Sequence, residues 1–594
     1  MRKIPVNWLA AGLLAIMAAL MVGPARQDSA TVDETSHLSA GYLHWRGAHT
    51  QMGTDDHPPL DHIVEAFPLV FMDIKYSDTA QAILRGELGS PWTPNWRAEV
   101  RSVQGLLEPG CSGQYVKLPP LGDVMVQWHC PTRYPFNSWY YWASPESQMF
   151  GKFFVYDGLN DGDAMLFAGR LAQVAVTLLT GLVIFLWTRR ATKQDWPALM
   201  ALALWTFQPT ALAHGHLTDT DMGVCFGITL ALYAFVCFLE KPTLKGAVLS
   251  GAATGMALTL KFTALILAPM YVLMLAIGWK RLRLEPSLLG KMAAAFFVAG
   301  WAIIMVVYFP QWAPAPPPSQ AETALFDIPG WFQALRPVLV PSDFFKGIAL
   351  TLGHAKTGGE AYLFGQWSPN GWWYYFPMAL VLKSPVAFVA LLASGVVVFL
   401  RRVRSASLLE QASWLGATVY LASAMTSGVN IGVRHVLPTL PLFSVGIGCA
   451  AATLADRRLK LVAAALLAWQ ALSVLFAYPL YIEFFSEAVG GARNGYKYLI
   501  DSNFDWGQDA IRLKKFLDER QIQHIYLDYF GTQFSIEYLK IPNTRVTAEQ
   551  AKQIQQGTLV VSASELMRPE WSWLRQTREP NVRVANTLFV YQFP

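Results

Sequence analysis

Residues 163–187 read DAMLFAGRLAQVAVTLLTGLVIFLW. Past Asp163 the only charge in this run is Arg170, and the run ends just before Arg189-Arg190. About 20 apolar residues suffice for a helix to cross the hydrocarbon core of a bilayer. The stretch therefore predicts a transmembrane helix whose basic end faces the cytoplasm. Ten further apolar runs lie near 5–23, 196–214, 221–239, 245–260, 262–280, 290–309, 374–400, 411–428, 436–454 and 460–480. The chain is 53% hydrophobic and 15% charged, well below the roughly 25% charge of soluble proteins. Together these predict a polytopic α-helical membrane protein with about eleven transmembrane helices. A net charge of +5 on 594 residues gives no basis for nucleic-acid binding.

The short loops set the orientation. Arg189, Arg190, Lys193, Lys241, Lys245, Lys280, Arg281, Arg283, Arg401, Arg402, Arg457 and Arg458 all fall on one side. The short loops of the other side carry only Lys261 and Arg434. The positive-inside rule places the first set in the cytoplasm, provided that the chain turns back at Lys261. Loops 24–162 and 310–373 and the tail 481–594 then lie outside. The first run has the alternative reading of a cleaved signal peptide, with a basic start and the small-residue stretch Val22-Gly23-Pro24-Ala25.

Residues 1–480 thus read as a membrane domain. The tail alternates helical pieces, such as 509–520 and 548–556, with strand-like pieces at 524–530, 558–564 and 586–593. It predicts a small extracytoplasmic α/β domain. Pro314-Ala315-Pro316-Pro317-Pro318 reads as a stiff connector. Cys111 and Cys130 share the first outer loop, where a disulfide is permitted.

Charges collect on the outer side. TVDETSHLSAGYLHW, residues 31–45, brings Asp33, Glu34 and His37; Asp55, Asp56 and His57 follow. AHGHLTDTDMG brings His214, His216, Asp219 and Asp221. Lys261, Arg434, His435 and, near the outer end of its run, Arg170 complete the set. Ionisable groups at membrane depth are costly and mark a site or an ion pair. A carboxylate here suits general-base work on a hydroxyl; Lys261, Arg434 or Arg170 suits a phosphate. Arg170 has a second reading, as the partner of a first-loop acid. His214, His216, Asp219 and Asp221 have the composition of a divalent-cation site for Mg or Mn, with hydrogen-bonded loop histidines as the alternative. No cofactor is required by the sequence.

The acidic pair after the first run, the His57-Pro58-Pro59-Leu60 turn, Thr218-Asp219-Thr220-Asp221-Met222, Lys261-Phe262-Thr263-Ala264-Leu265 and Arg434-His435-Val436-Leu437-Pro438 come in an order that resembles the GT-C membrane glycosyltransferases. More narrowly, it resembles the protein O-mannosyltransferase and aminoarabinose-transferase superfamily and its bacterial, phospholipid-carrier-dependent members. Residues 490–509 (GGARNGYKYLIDSNFDWGQD) resemble the segment after the last span of those members. The resemblance implies an inner-membrane enzyme that moves a sugar from a polyprenyl-phosphate donor to a lipid, glycan or protein hydroxyl outside the cytoplasm, inverting the anomeric carbon. It implies Asp33 as base with Glu34 supporting it. His57, Arg170, Asp219, Asp221, Lys261, Arg434 and His435 would line the substrate site. The tail does not resemble the extra domains of eukaryotic protein O-mannosyltransferases, so protein acceptors do not follow. A lipid or sugar transporter and a non-catalytic glycan-assembly subunit are the alternatives from other classes.

Overall fold

A computed structural model describes residues 5–47, 57–78, 80–81, 145–279, 285–309, 358–531 and 533–594, with short pieces at 101–102, 112–118, 122–129 and within 341–352. Asp55, Asp56, Cys111, Cys130 and the 314–318 prolines lie outside the described residues.

Each of the eleven apolar runs holds a helix. The helices that build the site region are α1 (Val6–Gln27), α2 (Glu34–Trp45), α3 (Leu60–Ala66), α4 (Gly162–Thr192), α5 (Thr220–Glu240), α6 (Leu244–Leu260), α7 (Leu267–Gly278) and α8 (Pro286–Tyr308). Among the described residues, five helices are long and apolar enough to cross a membrane: α1, α4, α5, α8 and Arg457–Ala477. The other runs are shorter helices or helices in pieces. Residues 196–214 divide at Gln208-Pro209 into Asp195–Thr206 and Pro209–His214, and 374–400 divides at Lys383-Ser384-Pro385 into Tyr375–Leu382 and Val386–Arg402. Proline lacks the amide that would continue the ladder and pushes its predecessor out of helical geometry. At Lys261 the backbone is extended, with φ −161° and ψ 140°, before the 3-10 turn Phe262–Ile266. Irregular backbone at membrane depth is tolerated where it faces protein or a cavity.

Helices α6 and α8 pack through small residues. A Cβ on Gly251 would lie 2.0 Å from the Phe296 carbonyl oxygen, and one on Gly255 would lie 2.3 Å from that of Gly300. With no hydrophobic drive between helices in lipid, such close backbone contact is a main source of association.

After short 3-10 turns between Glu487 and Asn503, the tail forms the helix α9 (Ala510–Glu519) and builds a five-stranded sheet from β1 (Ile525–Asp528), β2 (Asn543–Arg545), β3 (Gly557–Ser562), β4 (Val582–Val584) and β5 (Leu588–Phe593). The strand order is β2-β1-β3-β5-β4. Strand β1 runs parallel to β2 and β3, and β5 runs antiparallel to β3 and β4. Leu513 and Leu517 of α9 cover one face with Ile525, Leu527, Val560 and Leu588. Leu559, Val561, Phe589 and Tyr591 cover the other with Trp571 and Leu574. The expected helix at 548–556 is a single turn, Ala548–Ala551, closed by a capping box between Thr547 and Gln550.

The tail is tied to the membrane part by buried polar contacts. Arg512 reaches Asp28 at 2.6 Å and Asp509 at 2.5 Å. Lys383, buried at a helix break, donates to the carbonyls of Ile482 (2.7 Å) and Asn503 (2.5 Å).

Candidate functional site

The acidic pair separates at the start of α2. Asp33 is the residue before the helix, where aspartate usually caps an exposed amide with its side chain. Here its side chain makes no cap bond; instead Arg434 Nη1 donates to Asp33 Oδ2 at 3.2 Å. Successive helical side chains point about 100° apart, so Glu34 turns inward. It is fully buried and accepts from Arg170 Nε (2.9 Å) and Nη2 (2.6 Å), from the amides of Thr31 (2.9 Å) and Thr218 (3.0 Å), and from Thr218 Oγ1. Burial opposes ionisation of Glu34, but the Arg170 guanidinium and these donors overcome it and hold the carboxyl below its usual range. Arg170 also donates to the carbonyls of Ala25, Asp28 and Ser29. Glu34 and Arg170, read above as supporting catalyst and substrate ligand, thus turn toward each other. They satisfy one another, and Arg170 takes its second reading, as the partner of a first-loop acid.

Four of the expected residues meet in one chain of charges. Asp221, at the start of α5, receives Lys261 Nζ at 2.6 Å and Arg434 Nη1 at 3.5 Å. Arg434 bridges from there to Asp33. Side-chain exposure distinguishes the two acids: Asp33 is 19% exposed with one cation, Asp221 is 3% exposed between two. Arg434 lies 4.2 Å above the ring of Trp506. Burial opposes its charge, yet Asp221 and Asp33 push its pKa up.

The remaining expected residues surround this chain. Asp219 caps α5 by accepting from the Asp221 amide at 3.0 Å, and its other oxygen lies 3.5 Å from His214 Nδ1. His216 points away, to Asp28 Oδ2 (2.9 Å) and the Leu212 carbonyl (2.7 Å). Among the described residues no three His, Cys, Asp or Glu side chains are grouped to hold a metal ion. Of the four residues read as a possible cation site, His216 turns to Asp28, and Asp221 is countercharged by Lys261 and Arg434. His57 lies 5.3 Å from the ring of His37 and 6.1 Å from that of His62. His435 is half-buried, edge-on to Phe376 at 6.3 Å.

Several groups here escaped the sequence reading. Asp61 and Glu65, one turn apart on α3, are both buried and share Gln173, which donates to Glu65 at 2.9 Å. Burial and then the neighbouring acid, Asp219 for Asp61 and Asp61 for Glu65, push both carboxyls well above the usual range. His37, already among the outer-side residues of the sequence reading, has its Nδ1 2.7 Å from Nε2 of His62; burial pushes both imidazoles well below their usual range. The i, i+4 spacing of two acids on an apolar helix was the signal for the first pair.

Residues 162–307 match the dolichyl-phosphate-mannose-protein mannosyltransferase family profile. The matched span contains Arg170, Asp219, Asp221 and Lys261, so the motif resemblance is borne out over that span, while Asp33 and Arg434 lie outside it. No curated protein is similar to the chain. The solved structures similar to the chain include the following three. ArnT from Cupriavidus metallidurans bound to undecaprenyl phosphate is 12% identical, with a TM-score of 0.43 over 99% of this chain and 98% of that one. The same protein in its apo state is 11% identical, with a TM-score of 0.45 over 98% and 97%. The S. cerevisiae Pmt1–Pmt2 complex bound to the sugar donor is 13% identical, with a TM-score of 0.47 over 80% and 89%.

Proposed function

We propose that this protein transfers a sugar from a polyprenyl-phosphate donor to an acceptor hydroxyl at the extracytoplasmic face of a bacterial inner membrane. The observation that carries the reading is the chain Asp33–Arg434–Asp221–Lys261, where helices break at one end of the bundle. Asp33, the more exposed acid, takes the proton of the acceptor hydroxyl. The hydroxyl oxygen forms a bond to the anomeric carbon as the bond from that carbon to the phosphate oxygen breaks. The electron pair leaves on the lipid phosphate, where Lys261 and Arg434 offset the developing charge. One displacement inverts the anomeric centre. Asp221 holds the two cations in register, and Glu34 with Arg170 braces the loop that presents Asp33. Placing donor and acceptor side by side supplies much of the rate by orientation.

A transporter would place its charges or helix breaks near the midplane, commonly in paired repeats; here they gather at one end. The test compares lipid-linked sugars and envelope glycans in cells with and without the protein. Accumulation of one polyprenyl-phosphate sugar with loss of one glycan is expected. Unchanged pools of both would overturn the reading.

A further inference from the structure

Residues 501–510, DSNFDWGQDA, touch both halves of the proposed site. On one side they hold the loop that carries Asp33. The amides of Ser29 and Val32 donate to the carbonyls of Gln508 (2.9 Å) and Trp506 (3.2 Å). Ser29 Oγ donates to the Gly507 carbonyl at 2.8 Å and accepts from the Ala510 amide at 3.0 Å. On the other side they hold the turn that carries Arg434. Asn503 Oδ1 accepts from the Val433 amide at 2.8 Å, and Ser502 Oγ donates to the Ile431 carbonyl at 3.0 Å. Gly507, with φ +86°, makes the bend between them; a Cβ there would lie 2.9 Å from the Cα of Gly531.

Trp506 sits at the centre. It is 2% exposed, with its ring under the Arg434 guanidinium at 4.2 Å and 5.9 Å from the ring of His214. Arg434 makes both its ion pairs through Nη1, and its buried Nε has no hydrogen-bond partner among the described residues. A guanidinium resting over an aromatic face keeps its N–H donors available for a phosphate.

We propose that Trp506 is a positioning residue for Arg434, so that the tail contributes to binding the donor's phosphate as well as to the fold. This rests on the reading of Arg434 as a phosphate ligand. The ring offsets part of the guanidinium's lost hydration and fixes its plane, while the backbone on either side sets its distance from Asp33.

The test uses the full-length protein in detergent with undecaprenyl monophosphate as probe. Affinity is measured for wild type, Trp506→Leu, Trp506→Phe, Arg434→Ala and the double variants, each checked for monodispersity and melting. Trp506→Leu should weaken binding about tenfold, and Trp506→Phe about threefold, as expected for losing or trimming a desolvated cation–π contact. In the Arg434→Ala background neither change should weaken binding further, whereas a packing defect alone would lower affinity in both backgrounds. If Trp506→Leu does not fold, Trp506→Phe carries the cycle. Wild-type affinity in a folded Trp506 variant, or the same loss with and without Arg434, overturns the proposal while leaving the donor reading intact. A wild-type protein that does not bind the probe overturns both.

Discussion

Replacing Glu34 by glutamine keeps its shape and removes its charge, which isolates the worth of the Glu34–Arg170 pair. Both side chains are at most 2% exposed, so solvent does not screen the loss. The variant leaves a buried guanidinium without its carboxylate, facing one neutral amide oxygen and the carbonyls of Ala25, Asp28 and Ser29, and turns the new amide NH2 toward other donors. Breaking a buried ion pair from one side costs about 3–5 kcal/mol. At about 2 °C per kcal/mol for a large domain, that corresponds to roughly 6–10 °C in apparent melting temperature. Scanning fluorimetry of the purified protein measures it. The double variant Glu34→Gln, Arg170→Met should recover part of the loss, because it removes the stranded charge. Turnover per folded molecule should stay within a few-fold of wild type. A melting temperature within about 2 °C of wild type, or abolished turnover in well-folded Glu34→Gln, would refute the assignment of Glu34 to bracing.

Asp505 in the tail is buried; burial pushes its carboxyl up to about 8. The folded state thus holds a proton that the unfolded chain releases at its ordinary pKa of 3.8. The sign follows: stability from this group is full below 3.8 and falls as pH rises toward about 8. Asp505→Asn, which can still accept from the Ser564 amide, should flatten the fall in melting temperature over that window; an unchanged pH profile would count against it. Gly223→Ala should lower the yield of folded protein and cost about 1–3 kcal/mol, because the new methyl would meet Asp61 Oδ2 at 2.2 Å; shortening that side chain with Asp61→Ala should relieve the clash, and equal yields of wild type and Gly223→Ala would contradict it.

The apolar runs were legible because a membrane helix needs length and lack of charge, both of which are sequence properties. Their interruptions were legible only in part. Lys261 stood out as a charge where the cytoplasmic pattern required a turn, but Pro209 and Pro385 broke helices inside runs that read as continuous. Lys383 was hidden in the same way: its partners, the carbonyls of Ile482 and Asn503, lie about a hundred residues away. Lys261 and Arg434 could be found because the outer short loops carry no other Lys or Arg, and Asp33 and Asp221 because acids close to the ends of apolar runs stand out. Glu34 could not be told from Asp33, since neighbours at a helix start differ only in direction. Trp506 lay in the 490–509 stretch that carried the resemblance, but nothing marked it out among 22 tryptophans, because membrane proteins use aromatic residues at interfaces everywhere. The acids of α3 were missed because buried carboxyls look like solvated ones in a sequence.

The most direct test of the account is sugar transfer by purified Asp33→Asn in vesicles, supplied with the polyprenyl-phosphate sugar that accumulates in cells lacking the protein. The account predicts that undecaprenyl monophosphate still binds within a few-fold of wild type while release of lipid phosphate falls by at least about a hundredfold, as for loss of a general base. Near-normal turnover in that variant would contradict it.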